Sequence, residues 1–343
     1  MSRNRGIQGL RAVAALLVVI QHAVFWSCWL SDTDYAPYLP IDYGRIGVYL
    51  FFSISGYVMT LCLKQGSMFM VWRAIRIYPA YWAAILLSAF LVPLIGRPWH
   101  ADLTSILLLP TTDFNNTYTI PYWTLIFEMV FYVVLYIFIL ARLSRTGIIV
   151  ALIVWAALIA LVGQIQVVPV SSLYPGVFGV ALAYLLSPAC LLFIAGALYG
   201  LGGQQLFNRV SPLVILLIGS ASFLIAQFAL PSSVFIQLVF WAIAAVSAVN
   251  VASRITTSRH IESAGDDSYG LYLIHVMCIV LALHVALSIN QNLSIPVLVA
   301  IAVGAGLTGG LAYGALEFRV HNSFLKPAVR RLQERRRLKP RSA

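Results

Sequence analysis

Apolar runs of about 20 residues follow one another along this chain, and they limit it to a membrane fold. A helix of about 20 residues crosses the ~30 Å hydrocarbon core of a bilayer. Because lipid offers no partner for a backbone N–H or C=O, each run must satisfy its own hydrogen bonds as a helix. The runs lie near residues 7–28, 44–63, 78–96, 121–141, 147–163, 180–200, 210–228, 233–252, 268–289 and 295–317. We therefore predict an all-α integral membrane protein, a bundle of about ten transmembrane helices.

Charged residues are scarce and unevenly placed. Only 10% of the residues are charged and 61% are hydrophobic, whereas about 25% of a soluble domain is charged. If the N-terminus is cytoplasmic, all 22 Lys and Arg residues except Arg45 and Arg97 fall on the cytoplasmic side. This is the distribution that the positive-inside rule describes. We therefore predict that both termini are cytoplasmic.

The basic C-terminal segment accounts for most of the net charge of +11. We divide the chain into a transmembrane domain, residues 1–320, and a basic cytoplasmic tail, residues 321–343. Basic residues next to a membrane bind anionic lipid headgroups. The tail lacks the interleaved aromatic residues and the recognition fold of a nucleic-acid-binding segment, so we expect the lipid bilayer, and no nucleic acid, as its partner. The four cysteines stand singly, which indicates neither a metal site nor a disulfide framework.

The first apolar run carries two ionisable residues, Arg11 and His22, where such residues are costly. Eleven positions separate them, so they lie on one helix face and ~16 Å apart along the axis. A phosphate-bearing carrier held at Arg11 would present a group beside His22, and the pantetheine arm of coenzyme A has about that reach. The alternatives are a packing histidine and an arginine that extends to the interface.

Glu128 lies in the fourth run, at a depth in the bilayer similar to that of His22, and Thr124 shares its helix face. A carboxylate beside an imidazole sets the tautomer and raises the basicity of the ring. We therefore predict that Glu128 orients His22 as a general base. The alternative is a structural ion pair between Glu128 and an arginine.

Arg73 and Arg76 stand three residues apart in the segment before the third run, followed by Pro79, a residue suited to a helix start. Two adjacent guanidinium groups are good phosphate ligands. We predict that they bind the donor phosphates; the alternative is that they only set the topology.

The ninth run carries a polar face formed by Ser268, Tyr272 and His275, at positions i, i+4 and i+7. A polar face on an otherwise apolar helix points toward the interior of a bundle. We predict that these side chains contact the substrate or a developing oxyanion.

Several of these segments together resemble the acyltransferase-3 family of membrane acyltransferases. The resemblance runs from about residue 6 to 320, through GLRAVAALLVVIQH, GVYLFFSISGYVM, Arg73-x-x-Arg76 with IYPAYW, YWTLIFEMVFY and SYGLYLIHV. One position departs from the family pattern, because Tyr49 stands where GVDLFF has an aspartate. The role of that carboxylate is therefore in question here, unless Asp42 substitutes for it.

The resemblance implies a bundle of ten helices in the bacterial inner (plasma) membrane. Such a protein transfers an acyl group, usually acetyl, from cytoplasmic acyl-CoA to a hydroxyl of an extracytoplasmic or lipid-linked carbohydrate, as in exopolysaccharide or lipopolysaccharide. By this resemblance, His22 corresponds to the essential histidine of the family and Arg11 to its motif partner. Arg73 and Arg76 correspond to the contacts of the donor phosphates, and Glu128 to the acidic position of the fourth span. The resemblance also implies acetyl-CoA as a substrate with no permanently bound cofactor, and polysaccharide-biosynthesis proteins as possible partners.

The predicted mechanism is deprotonation of the acceptor hydroxyl by His22, with direct transfer and an acyl-enzyme both compatible with the residues. The loop 97–120 is expected to hold the sugar through Trp99, His100, Asp102, Asp113 and Tyr118. The rival interpretation is a proton-coupled transporter or carrier of a lipid-linked glycan, in which the buried Arg, His and Glu form a proton relay. The absence of an inverted internal repeat counts against it.

Overall fold

A computed structural model of the chain describes residues 4–111, 118–165, 180–229 and 234–338. These residues form helices joined by short turns, with no strand among them. The helices are α1 Arg5–Leu30, α2 Tyr43–Cys62, α3 Phe69–Leu91, α4 Leu103–Ile106, α5 Trp123–Leu140, α6 Arg145–Ile165, α7 Val180–Leu186, α8 Cys190–Leu198, α9 Gln204–Phe207, α10 Pro212–Leu224, α11 Val234–Arg254, α12 Arg259–Ile289, α13 Ile295–Val320 and α14 Lys326–Leu338. Segments of π-helix, Tyr199–Gly203, Ile225–Ala229 and His321–Leu325, prolong α8, α10 and α13.

Nine stretches of the described chain are long and apolar enough to cross a membrane. One of them, Tyr43–Ile95, has 53 residues, more than twice the ~20 residues of one pass. It is divided into α2 and α3 at Gly66, whose backbone (φ 58°, ψ −139°) is not helical. An L-residue with a side chain is strained at this positive φ, so glycine suits the break. The architecture confirms the predicted all-α membrane bundle.

The third span begins earlier than the hydropathy of the sequence predicted. It was expected at 78–96, with Pro79 at its start, whereas α3 covers Phe69–Leu91 and contains Pro79 inside the helix. The added turns are stabilised by burial, because Phe69 and Ile77 are 0% and 2% exposed. Arg73 and Arg76 therefore belong to a core-packed helix instead of a connecting segment.

Helix α1 lies centrally, packed against α2, α11, α12 and α13. At its start, the Asn4 side-chain amide donates to Ser253 O at the end of α11 (2.8 Å), and Thr257 donates to Arg5 O (2.9 Å). Near its other end, Gly44 N donates to the Gln21 side chain (3.4 Å) at the start of α2. We call the end of the bundle that carries Arg5 and Arg254 the basic end. Helix α1 thus begins at the basic end, where α11 ends, and α2 begins toward the opposite end.

Glycines allow backbones to approach closely where α2 meets α8. A Cβ added at Gly56 would lie 2.1 Å from Phe193 O, and one added at Gly196 would lie 2.0 Å from Ser53 O. The Ser53 hydroxyl donates to Leu192 O across the same contact (3.0 Å). Small residues at such crossings are the usual means of packing helices in lipid, where apolar side chains gain little by leaving it. This contact fixes the position of α2, which forms one wall of the site below.

Candidate active site

A cavity of about 150 Å³ lies between α1, α2, α3, α5 and α12. It gathers polar side chains that are up to 261 positions apart in the sequence. Those on its wall are Arg11, Ser55, Arg73, Arg76, Thr124, Glu128, Tyr132, Ser268, Tyr269 and Tyr272. Six of the eight site residues predicted from the sequence therefore share one cavity, although four different helices supply them.

The three arginines on the wall differ in their partners. Arg76 forms an ion pair with Glu317 of α13, and its guanidinium lies 4.9 Å from the centre of the Tyr269 ring. Arg73 lies 5.8 and 5.9 Å from the rings of Phe69 and Tyr132, and its Nε is buried with no hydrogen-bond partner in the described chain. Arg11 makes no hydrogen bond or ion pair with another described residue. Two cations thus face the cavity without a carboxylate bonded to them, which suits the binding of an anion.

Glu128 does not pair with His22, and this part of the sequence interpretation is wrong. One carboxylate oxygen accepts hydrogen bonds from the Tyr132 hydroxyl and from the Ser55 hydroxyl (3.3 Å). Tyr132 is one turn further along α5 and Ser55 belongs to α2. Equal depth in a bilayer does not place two side chains on facing helix surfaces, and the nearer hydroxyls take this carboxylate.

The partner of His22 is His275. Nδ1 of His22 lies 2.9 Å from Val18 O and 3.2 Å from Nε2 of His275, and the two rings meet edge to face with centroids 5.0 Å apart. His275 is fully buried. The Tyr272 ring lies 5.8 Å from the His275 ring. It also lines the cavity that contains Arg11, Arg73 and Arg76, which we call the arginine cavity. Tyr272 therefore lies between the two parts of the site.

The hydroxyl hydrogens of the polar face on α12 are already used. Ser268 donates to Gly265 O (2.7 Å), and Tyr272 donates to Pro121 O (3.1 Å). The Tyr272 and Thr124 hydroxyls also lie 2.6 Å apart, and either can be the donor, because Thr124 has Pro121 O as another acceptor at 3.4 Å. In this conformation neither Ser268 nor Tyr272 has a free hydroxyl hydrogen for an oxyanion. The predicted oxyanion role would require these hydrogen bonds to break.

Family comparison decides which kind of protein has this arrangement. A family model described as an acyltransferase domain matches residues 4–314. The chain belongs to the acyltransferase-3 family. It is a membrane acyltransferase, so the match favours the enzyme over the rival transporter. No curated protein and no solved structure is significantly similar to the chain.

The loop that was predicted to hold the sugar in this acyltransferase is held by its own hydrogen bonds. Asp102 Oδ2 accepts from the hydroxyls of Ser105 and Thr104, both at 2.6 Å. The Ser105 hydroxyl, followed by that of Thr104, lowers the pKa of Asp102 to about 2. Tyr118 accepts from Asp102 N (2.7 Å), and Trp99 donates to the Ser88 hydroxyl (2.9 Å).

Asp113, the remaining acid of this loop, lies outside the described residues. Within the described part, Asp102, Tyr118 and Trp99 therefore stabilise the loop. Whether the loop also binds a sugar stays a prediction.

Tyr49, which replaces the aspartate of the family pattern, is an internal packing residue of the acyltransferase. It is 5% exposed, and its ring packs edge to face on Trp241 with centroids 5.4 Å apart. Asp42 caps α2 by accepting from Arg45 N (2.8 Å) and pairs with the Arg45 guanidinium (3.2 Å). Both partners of that pair are more than 40% exposed, so Asp42 serves as a surface cap in this conformation.

Sequence reasoning missed four residues of the acyltransferase site: Ser55, Tyr132, Tyr269 and Glu317. Tyr132 follows Glu128 by four positions, a spacing that puts both on one helix face. Glu317 is an acid within an apolar span, which is itself a signal of an internal partner. Ser55 carries no such signal, because an isolated serine in a transmembrane helix is common.

Proposed function

We propose that this acyltransferase transfers an acyl group, acetyl in the first instance, from cytoplasmic acyl-CoA to a hydroxyl of an extracytoplasmic or lipid-linked carbohydrate. The observation that carries the proposal is the cavity in which Arg11 and Arg73 lack bonded carboxylates. A guanidinium group that has no bonded carboxylate can bind a phosphate through paired N–H···O bonds. The phosphates of acyl-CoA are anions of this kind.

The dimensions of the site support a donor that extends along α1. This helix runs without a break from Arg5 to Leu30, so the ~16 Å separation of Arg11 and His22 along the axis holds in the folded chain. The cavity that carries these arginines measures about 150 Å³. It has room for one phosphate or for the end of the pantetheine arm, and the remainder of the donor would lie outside it toward the basic end.

The chemistry assigned to His22 is general base catalysis. His22 takes the proton of the acceptor hydroxyl while the oxygen forms a bond to the thioester carbonyl carbon. The C–S bond then breaks, and the proton passes from His22 to the leaving coenzyme A thiolate. Glu128 lies on the wall of the arginine cavity, bonded to Tyr132 and Ser55, and does not contact the His22 ring.

The test is acyl transfer by the purified protein in lipid nanodiscs, with radiolabelled acetyl-CoA and a glycan acceptor. Arg73→Ala should raise the KM for acetyl-CoA at least tenfold, since a hydrogen bond to a charged group contributes about 1.5–3 kcal/mol. Arg45→Ala is the matched control, because it removes an arginine that lies outside the cavity. Equal effects of the two changes would show that Arg73 is not a donor ligand.

In the same assay, His22→Ala should abolish transfer and leave acetyl-CoA binding unchanged, because its ring is ~16 Å along α1 from Arg11. Substantial transfer by this variant would refute the assignment of the base. Failure of the unaltered protein to transfer or hydrolyse the acyl group, together with proton-coupled flux, would instead favour the transporter.

A further inference from the structure

Two backbone carbonyls decide where His275 carries its proton. Nδ1 of His275 lies 3.1 Å from Leu271 O and 2.9 Å from Tyr272 O, both on its own helix. A carbonyl oxygen only accepts hydrogen bonds, so the nitrogen that faces it must donate. A neutral imidazole has one N–H, and the proton of His275 is therefore assigned to Nδ1. Its Nε2 presents a lone pair.

That lone pair faces His22. Nδ1 of His22 is 3.2 Å from Nε2 of His275 and 2.9 Å from Val18 O, and both of these atoms are acceptors. Nδ1 of His22 therefore carries the proton and shares it between them. Nε2 of His22 is then unprotonated, and it has no hydrogen bond with a described residue. It is the nitrogen available to accept a proton.

We propose that His275 is a positioning residue that holds His22 in the tautomer with Nδ1 protonated and Nε2 free to act as the base. Its use in proton transfer rests on the function proposed above, whereas the tautomer assignment does not. When Nε2 of His22 becomes protonated, the bond from Nδ1 to His275 is kept and becomes charge-assisted. The orienting group of a catalytic histidine is commonly a carboxylate; here a neutral imidazole, itself fixed by its helix, takes that place.

Direct contact between His275 and a substrate is disfavoured by its surroundings. The residue is 0% exposed, whereas His22 is partly exposed. Both ring nitrogens are already engaged, Nδ1 with carbonyls and Nε2 with His22. Its only route to the reaction is therefore through His22.

The tautomers can be measured without substrate, by ¹⁵N NMR of the protein in bilayers with ¹⁵N-labelled histidine rings. The signals are assigned by their loss in His22→Asn and His275→Gln. We expect a protonated Nδ1 and an unprotonated Nε2 on His22, and an ¹⁵N–¹⁵N coupling between Nδ1 of His22 and Nε2 of His275. A proton on Nε2 of His22, or no such coupling, would overturn the proposal.

Two substitutions at His275 test its effect on catalysis. The amide oxygen of His275→Gln can accept the bond from His22, whereas His275→Phe fills the space without an acceptor. We expect kcat to fall at least about tenfold for His275→Phe and less than about threefold for His275→Gln, with the KM for acetyl-CoA unchanged in both. Equal losses would mean that His275 only packs. If the NMR coupling is present but the unaltered protein transfers no acyl group, the function proposed above fails and the tautomer assignment stands.

Discussion

The ion pair between Arg76 and Glu317 joins α3 to α13, and it leads to a quantitative prediction. The side chains are 22% and 6% exposed, and the second carboxylate oxygen of Glu317 is buried with no partner in the described chain. Removal of Arg76 would therefore leave a carboxylate in a site that water reaches poorly. Breaking a buried pair in this way costs about 3–5 kcal/mol.

A double-mutant cycle isolates this interaction. Arg76→Met and Glu317→Leu keep the side-chain volumes similar, and each alone should lower the free energy of unfolding by about 3–5 kcal/mol. The double variant should lose less than either single variant, because replacing both charges by packed apolar groups is often neutral. The expected coupling free energy is therefore about 3 kcal/mol or more.

Unfolding by SDS in mixed micelles, followed by tryptophan fluorescence, measures these free energies. Arg73→Met provides the matched control, because Arg73 lies in the same cavity and pairs with no carboxylate of the described residues. Its effect should add to that of Glu317→Leu within about 0.5 kcal/mol. A coupling free energy below that value for Arg76 and Glu317 would show that the pair contributes nothing and would refute the reasoning from burial.

Two further predictions concern packing and orientation. Gly196→Ala should lower the free energy of unfolding by about 1–3 kcal/mol, because the new Cβ would lie 2.0 Å from Ser53 O. Gly304→Ala is the control, since nothing lies within 4 Å of its added Cβ; similar losses in the SDS assay would contradict the prediction. Reporter fusions after Arg145 should be cytoplasmic and fusions near Asp34 external, because basic residues are retained on the cytoplasmic side. The reverse result would contradict the proposal that acyl-CoA binds from the cytoplasm.

The sequence alone predicted the class of fold and much of the membership of the site. The length and hydropathy of an apolar run are local properties, and the bilayer converts them directly into a helix of known span. The same reasoning identified Arg11 and Glu128, because a charged residue inside such a run needs an internal partner or a function. Arg73 and Arg76 were identified differently, as two adjacent guanidinium groups that suit phosphate. The structure places all four on one cavity.

Only the tertiary structure decided which of these residues are partners. Position along a helix specifies depth in the bilayer. Glu128 and His22 lie at similar depth, so depth alone allowed the predicted pairing of the two side chains. Which helices are neighbours, and how far each is rotated about its axis, depends on packing such as the close approach of Gly56 and Gly196. That packing pairs His22 with His275, 253 positions away. No local pattern in the sequence contains that information, because the contact arises from the arrangement of whole helices.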